Sequence, residues 1–233
     1  MSNDRLPKLS SATEVAEFLH KAATVPVAAK VQGRLIFALD ATASRQPTWE
    51  QACQWQSEMF TGTASLGTLA IQLIWYRGFN EFNATPWLMQ APELLQRMSS
   101  VHCLEGMTQL DRVLSHALRE TRQHRINALV FVGDCMEESV DRLCHQAGQL
   151  GVLGVPVFIF HEGHEPAAAT AFRQLAQLSH GAYCAFDAGS AKQLRELLGA
   201  VAVYAVGGRQ ALAELGKRKG GLAVQLTHQL DKR

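Results

Sequence analysis

The chain has little of what marks secreted, disulfide-rich or membrane-spanning proteins. Its 233 residues include five cysteines, an odd number without a Cys-x-x-Cys pair, which speaks against a disulfide framework and against a thiolate zinc site. The longest apolar stretch, Gly151 to Phe160, is too short to span a bilayer and contains Pro156. The amino terminus lacks the apolar core of a secretion signal. We therefore expect a soluble, cytoplasmic protein.

An excess of charge of one sign is also missing. Lys and Arg number 22 against 21 for Asp and Glu, a formal net charge of +1, so no overall field attracts nucleic acid or an acidic membrane. The chain has no Gly-Lys-Ser/Thr element, and the segment Gly151 to Gly154 lacks the three-glycine phosphate turn. We therefore expect neither a nucleic-acid partner nor a membrane partner, and no nucleotide hydrolysis.

Apolar runs typical of buried strands alternate with amphipathic segments typical of helices. The short run Phe79 to Trp87 fits only an edge strand, because Asn83 and Pro86 suit a central strand poorly. This alternation predicts an α/β fold, a doubly wound, mainly parallel sheet with helices on both faces. The predicted core strands are Arg34–Leu39, Gly67–Tyr76, Asn127–Asp134, Val155–Phe160 and Ala182–Phe186, and the main helices are Pro47–Phe60, Thr108–Arg122, Met136–Leu150, Ala167–Ser179 and Leu194–Val206.

Oxygen-bearing side chains follow the first predicted strand at alternate positions. Asp40, Thr42 and Ser44 offer a carboxylate and two hydroxyls, which suit Mg²⁺ or Mn²⁺ better than Zn²⁺. The same spacing also occurs in loops where these residues merely bond nearby amides. In a doubly wound sheet, however, the loops after different strands meet at one edge, so Thr108 and Asp134 are expected to join them.

With these five residues the sequence resembles the von Willebrand factor A (VWA) family, a Rossmann-like fold whose metal-ion-dependent adhesion site uses Asp-x-Ser-x-Ser, a Thr at a helix start and an Asp after a later strand. The resemblance covers about Arg34 to Val206, with steps of 64 residues from Ser44 to Thr108 and 26 from Thr108 to Asp134. Thr42 replaces the usual Ser and keeps the hydroxyl, while Cys135 stands where a glycine is common. The expected organisation is an N-terminal helical extension at 1–30, the VWA domain at 31–206, and a C-terminal helix with a mobile basic tail at 207–233.

The resemblance implies coordination rather than catalysis. Mg²⁺ or Mn²⁺ held by the five residues would keep one position open for an Asp or Glu of another protein, and Arg45 and Glu105 are expected at the partner-binding rim. By analogy with some bacterial members, the chain is expected to be a cytoplasmic adaptor, serving an ATP-driven remodelling complex. Two alternatives stay open: a Mg²⁺-dependent hydrolase or phosphatase-like enzyme, and a scaffold with an empty site.

Other conspicuous residues receive structural interpretations. The segment His161-Glu162-Gly163-His164-Glu165 is expected to be a polar loop at the end of a strand, since its spacing does not match a helical zinc motif. The tryptophans Trp49, Trp55, Trp75 and Trp87 are assigned to packing. The basic run Lys217 to Lys219 is assigned to a solvated tail.

Overall fold

A six-stranded sheet lies at the centre of the computed structural model, which describes residues 33–47, 49, 69–186 and 191–231. The strand order is β3-β2-β1-β4-β5-β6, and every pairing is parallel except that of the edge strand β3 with β2. The doubly wound, mainly parallel sheet predicted from the sequence is confirmed. The strands are β1 (Gly33–Asp40), β2 (Leu69–Arg77), β3 (Glu81–Ala84), β4 (Ala128–Gly133), β5 (Val157–Glu162) and β6 (Ala182–Phe186).

Helices pack on both faces of this sheet. Alternate residues of β1 point to opposite sides: Leu35, Phe37 and Leu39 join one core cluster, while Ile36 and Ala38 join the other. Helices α2, α3 and α4 cover the second cluster, and α1, α5 and α6 contribute to the first. The helices are α1 (Ala91–Ser99), α2 (Leu110–Gln123), α3 (Val140–Val152), α4 (Pro166–Leu178), α5 (Ala191–Lys219) and α6 (Leu222–Asp231).

The carboxyl-terminal segment differs from the expected mobile tail. Helix α5 continues through a kink at Gly208, where φ is 66°, and α6 follows it. Leu226 and Leu230 are almost fully buried, because their four-residue spacing forms an apolar stripe that packs into the core. The prediction of a tail after Gly216 is therefore wrong, while the three region boundaries stay predictions. Residues 1–30, and most of the helix predicted from Pro47 to Phe60, lie outside the described residues.

The order of the strands creates a switch point between β1 and β4. The chain runs from β1 to β2 on one side and later returns to β4 on the other, so the loops after these two strands diverge at the carboxyl edge. Such crevices are where open α/β sheets bind ligands. None of the described helices is long and apolar enough to cross a membrane.

Candidate metal site

Asp40 ends β1 and is completely buried. Its Oδ1 accepts a hydrogen bond of 2.8 Å from the Thr42 backbone N–H, and its Oδ2 accepts one of 2.9 Å from the Tyr76 hydroxyl. Burial raises the pKa of Asp40 to about 6, although the bonds from Thr42 and the charge of Arg45 oppose that rise. Burial also raises the pKa of Tyr76 well above its ordinary value, so Tyr76 remains a proton donor to this carboxyl group.

Two hydroxyls stand beside this carboxylate on the loop after β1. Thr42 Oγ1 and Ser44 Oγ lie 3.2 Å apart, with Thr42 buried and Ser44 exposed. Adjacent ligands of an octahedral Mg²⁺, each about 2.0–2.1 Å from the ion, are about 2.9 Å apart. The spacing of the two hydroxyls is therefore close to that of neighbouring metal ligands.

The segment that precedes Thr108 is held against the loop after β1 and the turn after β2 by close backbone contacts. The Met107 N–H donates to the Gly78 carbonyl over 3.2 Å, while a Cβ on Gly106 would lie only 2.1 Å from the same oxygen, so glycine is required there. The Leu104 N–H donates to the Ala41 carbonyl over 3.0 Å, which joins the segment to the loop after β1. Helix α2 begins at Leu110, two residues later than the sequence pattern predicts.

Asp134 follows β4 directly and carries an unsatisfied atom. Its Oδ1 is buried and has no hydrogen-bond partner among the described residues. Its negative charge contributes to the raised pKa of Asp40, so the two carboxylates repel each other across the ends of β1 and β4. A buried carboxylate oxygen without a donor favours a bound cation, and so does the repulsion between two carboxylates.

Arg45 is not a residue of the exposed rim, which corrects the sequence-based prediction. Its side chain is 1% exposed and forms an ion pair of 2.8 Å with Glu162, and it donates a hydrogen bond of 3.0 Å to the Val132 carbonyl. The short 3-10 helix Ala43–Arg45 turns the side chain under the loop and toward the ends of β4 and β5. Glu105 is exposed, and its role at the rim stays a prediction.

His161 and Glu162 do not lie in a polar loop, because both belong to β5 and are buried. His161 Nε2 lies 2.9 Å from the Asp134 carbonyl oxygen, and Nδ1 lies 2.9 Å from the Tyr183 hydroxyl. Burial lowers the pKa of His161. Since a carbonyl only accepts, we assign the neutral tautomer with the proton on Nε2. His161 therefore fixes the backbone of Asp134 and is itself fully bonded.

Further polar residues at this edge escaped the sequence analysis. Thr108 Oγ1 donates to the Glu138 carboxylate over 2.6 Å and accepts the Glu137 backbone N–H over 3.0 Å. The sequence does indicate that these residues lie near the converging loops. Tyr76 stands at the end of an apolar run, and Glu137 and Glu138 follow soon after Asp134. Their contacts depend on loop conformation, which the sequence pattern does not specify.

The contacts thus bring the predicted ligands to one edge of the sheet. Asp40, Thr42 and Ser44 are joined directly, Asp134 acts on Asp40 through its charge, and Thr108 bonds the loop that follows Asp134. Within the described ranges no group of three or more His, Cys, Asp or Glu side chains is arranged to hold a metal ion. The predicted set does not require such a group, because three of its five members are hydroxyls.

Several solved structures share this fold. A von Willebrand factor type A protein from Catenulispora acidiphila is 16% identical with a TM-score of 0.57, covering 72% of this chain and 42% of that one. The SpRpn10 VWA domain is 14% identical with a TM-score of 0.58, covering 73% and 95% respectively. Proximal thread matrix protein 1 from the mussel byssus, with a zinc-occupied MIDAS motif, is 12% identical with a TM-score of 0.60, covering 82% and 52%.

These similarities concern the fold. The chain spans nearly all of the SpRpn10 domain but about half or less of the other two proteins. The sequence itself matches no protein-family model and no curated protein.

Proposed function

The chain has a von Willebrand factor A fold, and we propose that it is a protein-interaction module that binds an acidic side chain of its partner through a divalent metal ion. The proposed ligands are Asp40, Thr42, Ser44, Thr108 and Asp134. The observation that carries the proposal is that the buried Oδ1 of Asp134 has no hydrogen-bond partner in the described part of the chain, while the charge of Asp134 adds to the effect of burial on the pKa of Asp40. A cation at this place would satisfy that oxygen and offset the repulsion between the two carboxylates.

The chemistry of the donors favours Mg²⁺ or Mn²⁺. All five proposed ligands supply oxygen, which hard cations prefer. Burial, reinforced by the charge of Asp134, raises the pKa of the adjacent Cys135 thiol to about 12, so in the metal-free protein Cys135 is not a thiolate that would favour a softer metal. Zinc occupies the site of the mussel protein, so Zn²⁺ is a necessary comparison in any binding measurement.

Some residues of the chain would bind such an ion, and others hold the proposed ligands in place. The carboxylates of Asp40 and Asp134 would supply the negative charge, and the hydroxyls of Thr42, Ser44 and Thr108 would supply neutral oxygens. Tyr76 and the Thr42 backbone fix the orientation of Asp40, while His161 fixes the backbone of Asp134. When bound, the ion supplies a coordination position that a partner's Asp or Glu carboxylate can take.

Exposed apolar side chains beside the site support a protein partner. Phe79, Leu104 and Met107 are 70%, 46% and 52% exposed, and we call them the apolar collar. Their segments are tied to the site by the bonds of Leu104 to Ala41 and of Met107 to Gly78. We infer that the partner's acidic residue is flanked by apolar side chains, since clustered apolar surface is typical of interaction sites.

The arrangement favours coordination over hydrolysis. His161 is the imidazole bonded to the Asp134 loop, and both of its nitrogens are engaged in hydrogen bonds. A general base needs a nitrogen that is free to take a proton from water or substrate.

The cytoplasmic location and the adaptor role in an ATP-driven complex remain part of the proposal and rest on analogy with the family.

The test is capture of a partner from cell extract by the full chain, with Mg²⁺ or with chelator. Asp134→Asn removes the proposed ligand charge, and Glu93→Gln, on the exposed side of α1, is the matched control. We expect a partner that wild type and Glu93→Gln capture in Mg²⁺. Chelator should release this partner, and Asp134→Asn should not capture it. Equal capture by the three proteins, both in Mg²⁺ and with chelator, would contradict the proposal.

A further inference from the structure

Arg45 connects the loop after β1 to the ends of two further strands. It directly follows Ser44, one of the proposed ligands, and its guanidinium lies 2.8 Å from the Glu162 carboxylate on β5. The same group donates a hydrogen bond of 3.0 Å to the Val132 carbonyl on β4 and lies 3.5 Å from the Asp40 carbonyl oxygen at the end of β1. One side chain therefore contacts the carboxyl ends of three neighbouring strands.

These contacts attach the loop to β4, the strand that Asp134 follows. Val132, which accepts the guanidinium bond, stands two residues before Asp134. The hydroxyls of Thr42 and Ser44 lie 3.2 Å apart and contact each other, which orders them within the loop but not relative to β4. The Arg45 side chain therefore joins these two hydroxyls to the strand that leads to Asp134.

A charged pair at this depth is not required for packing. The Arg45 side chain is 1% exposed, and that of Glu162 is 10% exposed. Apolar side chains of similar volume often replace a buried ion pair without loss of stability. Arginine differs from them in its planar, rigid fork of N–H donors, which binds several acceptors at once in a fixed geometry. The contacts therefore indicate that this pair orients the loop.

Resting on the proposed function, we propose that Arg45 is a positioning residue of the metal site, which holds the hydroxyls of Thr42 and Ser44 in place relative to Asp134 before a cation binds. Arg45 does not touch the cation. Because Glu162 balances its charge, the pair acts on metal binding through the geometry of the loop. A preformed site loses less conformational entropy when the ion binds, so its affinity for the ion is higher.

The double variant Arg45→Met, Glu162→Met tests the proposal, because it removes the guanidinium without changing the net charge or leaving a buried charge unpaired. Its matched control is Glu214→Met, Arg218→Met, which removes the same two residue types from an exposed pair on α5, 3.8 Å apart. Urea unfolding first establishes that both variants fold. Arg45→Lys keeps the charge beside Glu162 but lacks the fork, and it covers the case in which the double variant does not fold.

Hydrogen exchange in the metal-free protein reports the order of the loop without a cation. The amides of Thr42 and residue 45 are the probes, since they donate to Asp40 Oδ1 over 2.8 Å and to the Thr42 carbonyl over 3.0 Å. After correction for intrinsic rates, we expect both amides to exchange about tenfold faster in the double variant than in wild type, with unchanged exchange in β1. Arg45→Lys should shift both rates in the same direction.

Mn²⁺ binding by the full chain is the second measurement, with the metal alone as the probe. We expect about tenfold weaker binding in the double variant, as is typical when a residue that orients a metal ligand is lost, and wild-type affinity in the control. A merely structural role predicts that affinity recovers together with stability. Positioning predicts that stability recovers and affinity does not.

The outcomes separate this inference from the proposed function. Wild-type exchange rates in the double variant overturn the inference whether or not Mn²⁺ binds. Wild-type or tighter Mn²⁺ binding by the double variant also overturns it and leaves the proposed function intact. If wild type binds no Mn²⁺, the proposed function fails, and the exchange rates alone decide whether Arg45 holds the loop.

Discussion

Replacing Arg45 with methionine is expected to destabilise the fold by about 3–5 kcal/mol, because it leaves a buried charge without its partner. The Arg45 guanidinium is paired with Glu162 at 2.8 Å, and the two side chains are 1% and 10% exposed. The same guanidinium also donates to the Val132 carbonyl, which would lose that bond. For a domain of this size the loss corresponds to a fall in melting temperature of about 10 °C.

A double-mutant cycle measured by urea unfolding tests this expectation. Glu162→Met alone should destabilise by a similar amount, whereas the Arg45→Met, Glu162→Met double variant should recover much of the loss, since apolar groups can replace a buried pair. The control is Arg142→Met, which breaks an ion pair of 2.7 Å with Asp111 in which Arg142 is 69% exposed, and should cost less than about 1 kcal/mol. A loss for Arg45→Met no larger than that of Arg142→Met would show that the buried pair contributes no more than an exposed one.

Three further expectations concern the site. Because burial raises the pKa of Asp40 from its ordinary 3.8 to about 6, metal-free protein should lose about 3 kcal/mol of stability as the pH rises from about 4 to above 6. Chelator-treated Asp40→Asn should lack this loss in pH-dependent unfolding, and identical curves for the two proteins would contradict the assigned pKa. Serine at both Leu104 and Met107 should weaken partner binding about tenfold with unchanged Mn²⁺ affinity, and unaltered partner affinity would exclude the collar from the interface. Gly106→Ala should lower the free energy of unfolding by about 1–3 kcal/mol, because the added Cβ meets the Gly78 carbonyl oxygen. The same variant should also bind Mn²⁺ more weakly. Wild-type stability in thermal unfolding would show that the loop relaxes freely.

The fold was predictable because its strands are continuous apolar runs that end at polar residues. The run from Arg34 to Leu39 falls within β1, and the runs at Asn127–Asp134 and Val155–Phe160 fall on β4 and β5 with ends shifted by one or two residues. Buried parallel strands need apolar side chains on both faces, so their pattern is visible without knowledge of tertiary contacts. Helix α6 was missed because glycines and basic residues precede it, while its apolar stripe is short.

The site was predictable only in part. Strand ends place Asp40 and Asp134 at the same edge of the sheet, which topology alone decides. Arg45 is buried because the 3-10 turn directs its side chain toward Glu162. From the sequence alone, a charged residue on a loop is predicted to be exposed. The sequence pattern predicts a loop at His161, whereas the hydrogen bonds at both of its ring nitrogens allow it to be buried in β5. Such compensation between partners far apart in the chain leaves no local pattern.

Calorimetric titration of Mg²⁺ and Mn²⁺ into wild type and Asp134→Asn measures whether the chain binds a divalent ion through the proposed ligands. Asp134 is the most informative position to change, because its buried Oδ1 has no hydrogen-bond partner in the described residues. The substitution therefore breaks no hydrogen bond of this oxygen. We expect one divalent ion per wild-type chain and an affinity at least about tenfold lower for Asp134→Asn. Absence of binding to wild type, or equal affinity in the two proteins, would contradict it.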